Sequence, residues 1–198
     1  MERSNFRRFV GYYKWHLMFL LLIIVCLVFI IKSCSTDTAP DLRIGYIATP
    51  FVNEEDFESN KPKFEHLLHD ANEDKKKIAE LVPYTVDKQD EINDLFVDMI
   101  ESESYHIYIL PKEAFIAYKD KSAFASISVN AGNTETIKDG KGRVYAYSVE
   151  GNSYLESLGF LNTDNLFIAA ADFKDKELST EEKNGINITK EIIEKRKD

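Results

Sequence analysis

Apolar positions follow two kinds of pattern along this chain. Residues 17–31 (LMFLLLIIVCLVFII) form one unbroken apolar run. From residue 42 onward, apolar residues instead recur in short blocks of strand-like or helical spacing. Residues 42–49 (LRIGYIAT), ended by Pro50, predict a strand. Residues 62–70 (PKFEHLLHD) place Phe64, Leu67 and Leu68 on one helix face behind Pro62. Residues 78–86 (IAELVPYTV) lean towards β structure, with Pro83 marking a bulge or an edge. In 90–102 (DEINDLFVDMIES), Ile92, Leu95, Phe96, Met99 and Ile100 recur at helical spacing. Asp90 is the expected N-cap there, and acids crowd the first turn as the helix dipole favours.

Residues 105–110 (YHIYIL) are apolar on both faces, as in a strand buried mid-sheet with parallel neighbours. Pro111 opens a short helix over 111–120, and 123–129 (AFASISV) predicts another strand. A polar loop with three glycines occupies 130–142, where Asp139-Gly140 predicts a turn. Two strands (143–149 and 166–173) and a helix over 179–197 follow, with Gly185 weakening the helix start. Strands alternating with helices predict a three-layer α/β/α domain around a mixed, partly parallel sheet.

The apolar run sets the address. Counted from Gly11, it is about 20 residues long, enough at 1.5 Å per residue to span roughly 30 Å of hydrocarbon. Tyr12, Tyr13 and Trp15 would sit at the headgroup level. Arg3, Arg7, Arg8 and Lys14 precede the run and only Lys32 follows it closely, so the N-terminus is expected in the cytoplasm. The chain thus divides into a basic stub (1–10), a transmembrane signal anchor (11–31), a linker (32–41) and an extracytoplasmic α/β domain (42–198). Cys34 stands where a lipoprotein signal would be cut, but Lys32 occupies a position that wants a small residue. An uncleaved anchor is therefore favoured over lipidation of Cys34. With Cys26 inside the run and Cys34 in the linker, the domain has no disulfide of its own.

Charge sharpens the division. The net charge is −9, yet the first 31 residues hold four basic and one acidic side chain, +3, which leaves −12 for the remaining 167. A body of that sign repels phosphate, which excludes nucleic acid as a partner.

Candidate chemistry is sparse. His66 and His69 would share a helix face, but the spacing is not that of a zinc protease and a solvated face is the simpler reading. Residues 70–81 begin like a calcium loop, but Lys75 stands where glycine is needed and Leu81 where a bidentate glutamate is needed. Gly140-Lys141-Gly142 precedes a strand rather than a helix, so it is no phosphate cradle. His106 lies in an apolar strand and reads as a hydrogen-bonded core histidine. No cofactor, metal or catalytic residue is expected. Open α/β sheets meet ligands at the carboxyl ends of their strands. That rule nominates Thr49 and Phe51 after the first strand, Lys112 and Glu113 after the third, and Glu150 and Asn152 after the fifth.

The segments DLRIGYIATP, IAELVPYTV, ESYHIYILPKEAFIAY, GRVYAYSVEGN and LFIAAADF, in that order, resemble one lobe of an extracellular solute-binding protein. The likeness is to tethered single-lobe forms of Gram-positive type and covers roughly residues 42–173. It implies a lobe fold outside the membrane, with the helix after 105–110 starting near a ligand cleft and 166–173 serving as a return strand. Such proteins close two lobes on a ligand, and this body holds little more than one. The expected function is a membrane-anchored extracytoplasmic binding or interaction module without enzymatic activity. Its expected partners are the lipid bilayer, through residues 11–31, and a small solute or an envelope protein. The alternatives are an accessory subunit of an envelope complex and an envelope hydrolase.

Overall fold

Among the described residues, six strands form one sheet. The computed structural model describes residues 13–16, 18–28, 39–47, 54–84, 89–118, 121–160, 162–173 and 177–196. The chain falls into two units, Met1–Ala39 and Pro40–Asp198. In the first unit, residues 13–16 and 18–28 are helical and are called α1. Its large apolar side chains are exposed all round, Phe19 and Leu21 to 65% each. Among the described residues no helix is long and apolar enough to cross a membrane. The anchor expected over 11–31 extends past α1 into 11–12, 17 and 29–31, which lie outside the described residues.

In the second unit the elements run β1 (Leu42–Ile47), α2 (Glu54–Glu65), β2 (Ala79–Tyr84), α3 (Gln89–Glu101), β3 (Ile107–Pro111) and α4 (Lys112–Ala117). They continue β4 (Thr136–Lys138), β5 (Val144–Ser148), α5 (Ser153–Glu156), β6 (Leu166–Ala170) and α6 (Thr180–Glu194). β1 pairs parallel with β2 and β3; β6 runs antiparallel to β3 and to β5, and β4 antiparallel to β5. The mixed, partly parallel sheet is therefore present.

Alternation along the strands divides the core in two. Ile44, Tyr46, Ile107, Ile109 and Ile168 meet Phe57 and Phe64 of α2, Leu155 of α5, and Ile188 and Ile192 of α6. On the other face Tyr108, Leu110, Phe167 and Ala169 meet Phe96 and Met99 of α3 and Phe115 of α4. β3 and β6 are buried on both faces because they lie mid-sheet.

Several elements differ from expectation. α2 ends at Glu65 rather than starting at Pro62; Pro62 sits inside its last turn. Its apolar anchors are Phe57 and Phe64, seven apart and separated by polar residues, a signal too thin to read. α3 begins at Gln89, so Asp90 lies inside the helix and is not its N-cap. Residues 123–129 do not form a strand. Phe124 makes a single bridge to Ala171, and the amides of Ala125 and Ile127 donate to Ala170 (3.0 Å) and Val144 (3.1 Å). This segment seats itself beside the ends of β6 and β5 away from their pairing, which runs through Tyr147–Ile168, Ser148–Phe167 and the Val149 amide on Leu166 O (2.9 Å). The remaining strand is β4, inside the expected polar loop, joined to β5 through the Asp139 turn. Asp139 accepts from the amides of Lys141 (2.8 Å) and Arg143 (2.9 Å), bonds that hold its carboxyl below the usual range.

Asp41, the last residue of the expected linker, packs in the second unit. Asp41 is 1% exposed and belongs to the domain. Its carboxylate accepts from the amides of Ala71 (2.6 Å) and Ile78 (2.8 Å), and Asn184 of α6 bonds Asp41 O (3.1 Å) and both backbone groups of His69 (2.8 Å each). These bonds tie the turn at 69–78 to the start of β1 and to α6.

Candidate functional site

β1 leads to β2 on one side of the sheet and β2 leads to β3 on the other, so the direction of winding reverses between β1 and β3. A ligand crevice is expected at that carboxyl edge. Thr49 and Phe51, which follow β1 in sequence, lie outside the described residues, as does Cys34.

Lys112 and Glu113 do come together there. Pro111 ends β3 and α4 starts at once, which puts both side chains on the rim. The ammonium of Lys112 pairs with Glu135, just before β4, and sits 5.9 Å from the ring centroid of Phe167. Glu113 accepts from the Asn165 side-chain amide (2.9 Å), and the Asn165 carbonyl accepts the Lys112 amide (3.1 Å). Asn165 holds φ +57°, a conformation that asparagine tolerates better than most residues. Glu150 is exposed, and its amide donates to Ser148 Oγ (3.3 Å). Asn152 is fully buried: its oxygen accepts the Leu155 amide (3.0 Å) as the N-cap of α5, and its amide group donates to Ile192 O (2.8 Å). Asn152 therefore locks α5 to α6.

That lock shapes a cleft of about 500 Å³ between α5 and the end of α6, lined by Ser153, Tyr154, Ser157, Glu194, Lys195 and Arg196. Lys195 lies 4.7 Å from the Tyr154 ring centroid and 2.5 Å from Glu191, whose carboxylate holds the lysine above its ordinary value. Arg196 reaches Thr134 Oγ1 (3.2 Å) and Ser148 O (3.4 Å), linking the cleft to the end of β5. Two cations, Lys195 and Arg196, one carboxylate, Glu194, the serine hydroxyls and the Tyr154 ring line this cleft. Among the described residues of this lining no histidine stands beside the serines. Sequence reading missed Asn165, Glu135 and Arg196, because each acts through a partner distant in the chain.

The histidine pair takes no site geometry. His66 and His69 lie beyond the end of α2 and are both exposed. Among the described residues no group of three or more His, Cys, Asp or Glu is placed to hold a metal. The calcium-like stretch bonds itself: Asp70 accepts the Lys75 amide (2.7 Å), Asn72 that of Asp74 (3.1 Å) and Asp74 that of Lys76 (2.8 Å).

Against this geometry stand the comparisons with known proteins: no family model, no curated protein and no solved structure matches the chain.

Proposed function

We propose that this chain is a single-pass, membrane-anchored binding module whose α/β domain lies outside the cell and takes a small polar solute. The observation that carries the reading is the apolar helix α1, exposed on every side while the second unit closes two cores of its own. An all-round apolar helix needs an apolar surrounding, and a bilayer supplies one. Residues 29–31 continue the apolar sequence, and the basic residues before the run orient the stub inward. The solute-binding-lobe resemblance supports the extracytoplasmic placement. The cleft at the carboxyl edge, where Lys195 and Arg196 stand against one carboxylate, Glu194, supports capture of an anionic group.

The test uses the full chain with a C-terminal epitope. The protein is expected to stay in the membrane fraction through alkaline washing, to need detergent for release, and to lose its domain to protease applied outside. Recovery in the soluble fraction, or an epitope protected from protease once wall is removed, overturns the reading. For the cleft, small carboxylates and phosphates are expected to raise the melting temperature of the detergent-solubilised chain with concentration. The Arg196→Ala variant is expected to lose that response.

A further inference from the structure

The chain enters its second unit at Pro40, and the next residue, Asp41, is bonded to the turn at 69–78. Its carboxylate takes the amides of Ala71 and Ile78, while its own amide (2.9 Å) and that of Leu42 (3.2 Å) donate to Ile78 O. That turn carries Lys75, Lys76 and Lys77, consecutive and all exposed. Three ammonium groups therefore stand beside the start of β1, in a body whose net charge from residue 32 onward is −12.

The acids of the turn do not cancel these cations at the surface. Asp70 and Asp74 face inward: each gives one oxygen to a backbone amide, of Lys75 (2.7 Å) and Lys76 (2.8 Å), and the other oxygen of each is buried. Glu80, at the start of β2, is paired with Arg43 (2.7 Å). Glu73 is exposed and opposes the lysines. Lys183 is exposed as well, next to Asn184, which bonds both Asp41 and His69, and it adds a fourth cation. The other acids of this amino edge of the sheet, Glu101, Glu103 and Asp172, precede β3 or follow β6, and β1 lies between those strands and β2. The cationic surface is thus the β2 corner of the amino edge.

We propose that this corner docks on the headgroups of an anionic lipid bilayer. The contact rests on the membrane-anchored reading, in which the apolar run ending at Ile31 holds the chain to the bilayer. Ten residues then lead from Ile31 to Asp41, at most about 35 Å even fully extended. Such a tether turns docking into an intramolecular event at high effective concentration. Each lysine close to an anionic surface strengthens binding by about fivefold, and the net negative charge of the body repels the rest of its surface from the same lipid. The cleft between α5 and α6 lies at the opposite, carboxyl edge, so docking leaves it open to solute.

The experiment reconstitutes the full chain into vesicles of phosphatidylcholine, alone or mixed with phosphatidylglycerol. A membrane-impermeant acylating reagent is added outside, and mass spectrometry follows each lysine. Lys75, Lys76 and Lys77 are expected to react about tenfold more slowly on the mixed vesicles and to recover at about 1 M salt, where screening acts within about 3 Å. Lys183 is expected to slow with them. Lys112 and Lys195, at the carboxyl edge, are expected to react alike on both vesicles. In the triple variant Lys75→Gln, Lys76→Gln, Lys77→Gln, the slowing of Lys183 is expected to vanish while the melting temperature holds, because the turn is bonded through its amides. A chain that floats with neither vesicle overturns the anchored reading itself. A chain that floats with both, yet shows equal rates at the three lysines, overturns the docking alone. Equal slowing of Lys112 and Lys195, or slowing of Lys183 that survives in the triple variant, also overturns it, because the lysine turn would then not be the point of contact.

Discussion

At His106 one backbone amide fixes a ring's protonation. The Arg43 amide donates to His106 Nδ1 (2.9 Å), so the ring proton sits on Nε2 and the imidazole is neutral. Burial pulls its pKa below 6.5 and Arg43 acts in the same direction, while Glu181 and Glu182 oppose it. The native ring therefore resists a proton that the unfolded chain accepts. The stability it confers is complete above about pH 6.5 and is lost as pH falls below that value, until the native ring itself protonates. In His106→Asn the amide oxygen still faces the Arg43 amide but cannot titrate. Its melting temperature should fall less steeply than that of the parent chain between about pH 6.5 and 5; equal slopes would assign the acid sensitivity to other groups. The sequence reading of His106 as a bonded core histidine needed only its apolar neighbours. Asp41 and Asn184 were illegible for the opposite reason. Asp41 stands among linker-like residues, and its amide partners come 30 and 37 residues later. Asn184 looks like one polar position of an ordinary helix, yet it bonds residues 115 and 143 positions away.

At the scale of elements, α6 shows how local preference yields to packing. Its N-terminus is a complete capping box: Ser179 Oγ accepts the Glu182 amide (3.1 Å) and Glu182 accepts the Ser179 amide (2.7 Å). The other Glu182 oxygen accepts the Phe173 amide (2.8 Å), which ties the helix to the end of β6. Gly185, which lowers helix propensity, packs against the backbone of His106, just before β3. A Cβ there would stand 2.6 Å from the His106 carbonyl oxygen and 3.2 Å from its carbonyl carbon. Backbone cannot swing aside as a side chain can. Gly185→Ala should gain up to about 1 kcal/mol of helix propensity and lose more to the clash, ending destabilised by about 1–3 kcal/mol in urea titration. A neutral or stabilised variant would mean that α6 slides off the strand freely. The start of α6 was legible from Ser179, and α3 from its spacing, because each signal is contained within one element. β4 and the segment at 123–129 were not. Alternation marks which side chains are buried, but whether a backbone pairs depends on what lies beside it, here the ends of β6 and β5 away from their pairing.

At the scale of the whole chain, hydropathy made the division into an apolar run and a folded body legible without any tertiary information. The candidate site was only half legible. The carboxyl-edge rule found Lys112 and Glu113, but the rim they build depends on Glu135 and Asn165, and the cleft on an arginine at the far end of α6. The same division has a consequence for folding. Both core clusters draw only on residues from Leu42 onward, and the bonds of Asp41 and Asn184 close the N-terminal edge of the domain internally. A domain of this size buries enough apolar surface to fold alone. The fragment 40–198 should therefore be soluble without detergent and monomeric. It should unfold in a single cooperative transition whose midpoint matches that of the domain in the full chain. The full chain should associate or pellet unless detergent covers α1, whose apolar side chains its own residues leave exposed. Size-exclusion chromatography with light scattering, run on both proteins with and without detergent, separates the two behaviours. A fragment that aggregates, or a full chain that stays monomeric in plain buffer, would show that α1 covers a face of the domain instead of seeking lipid.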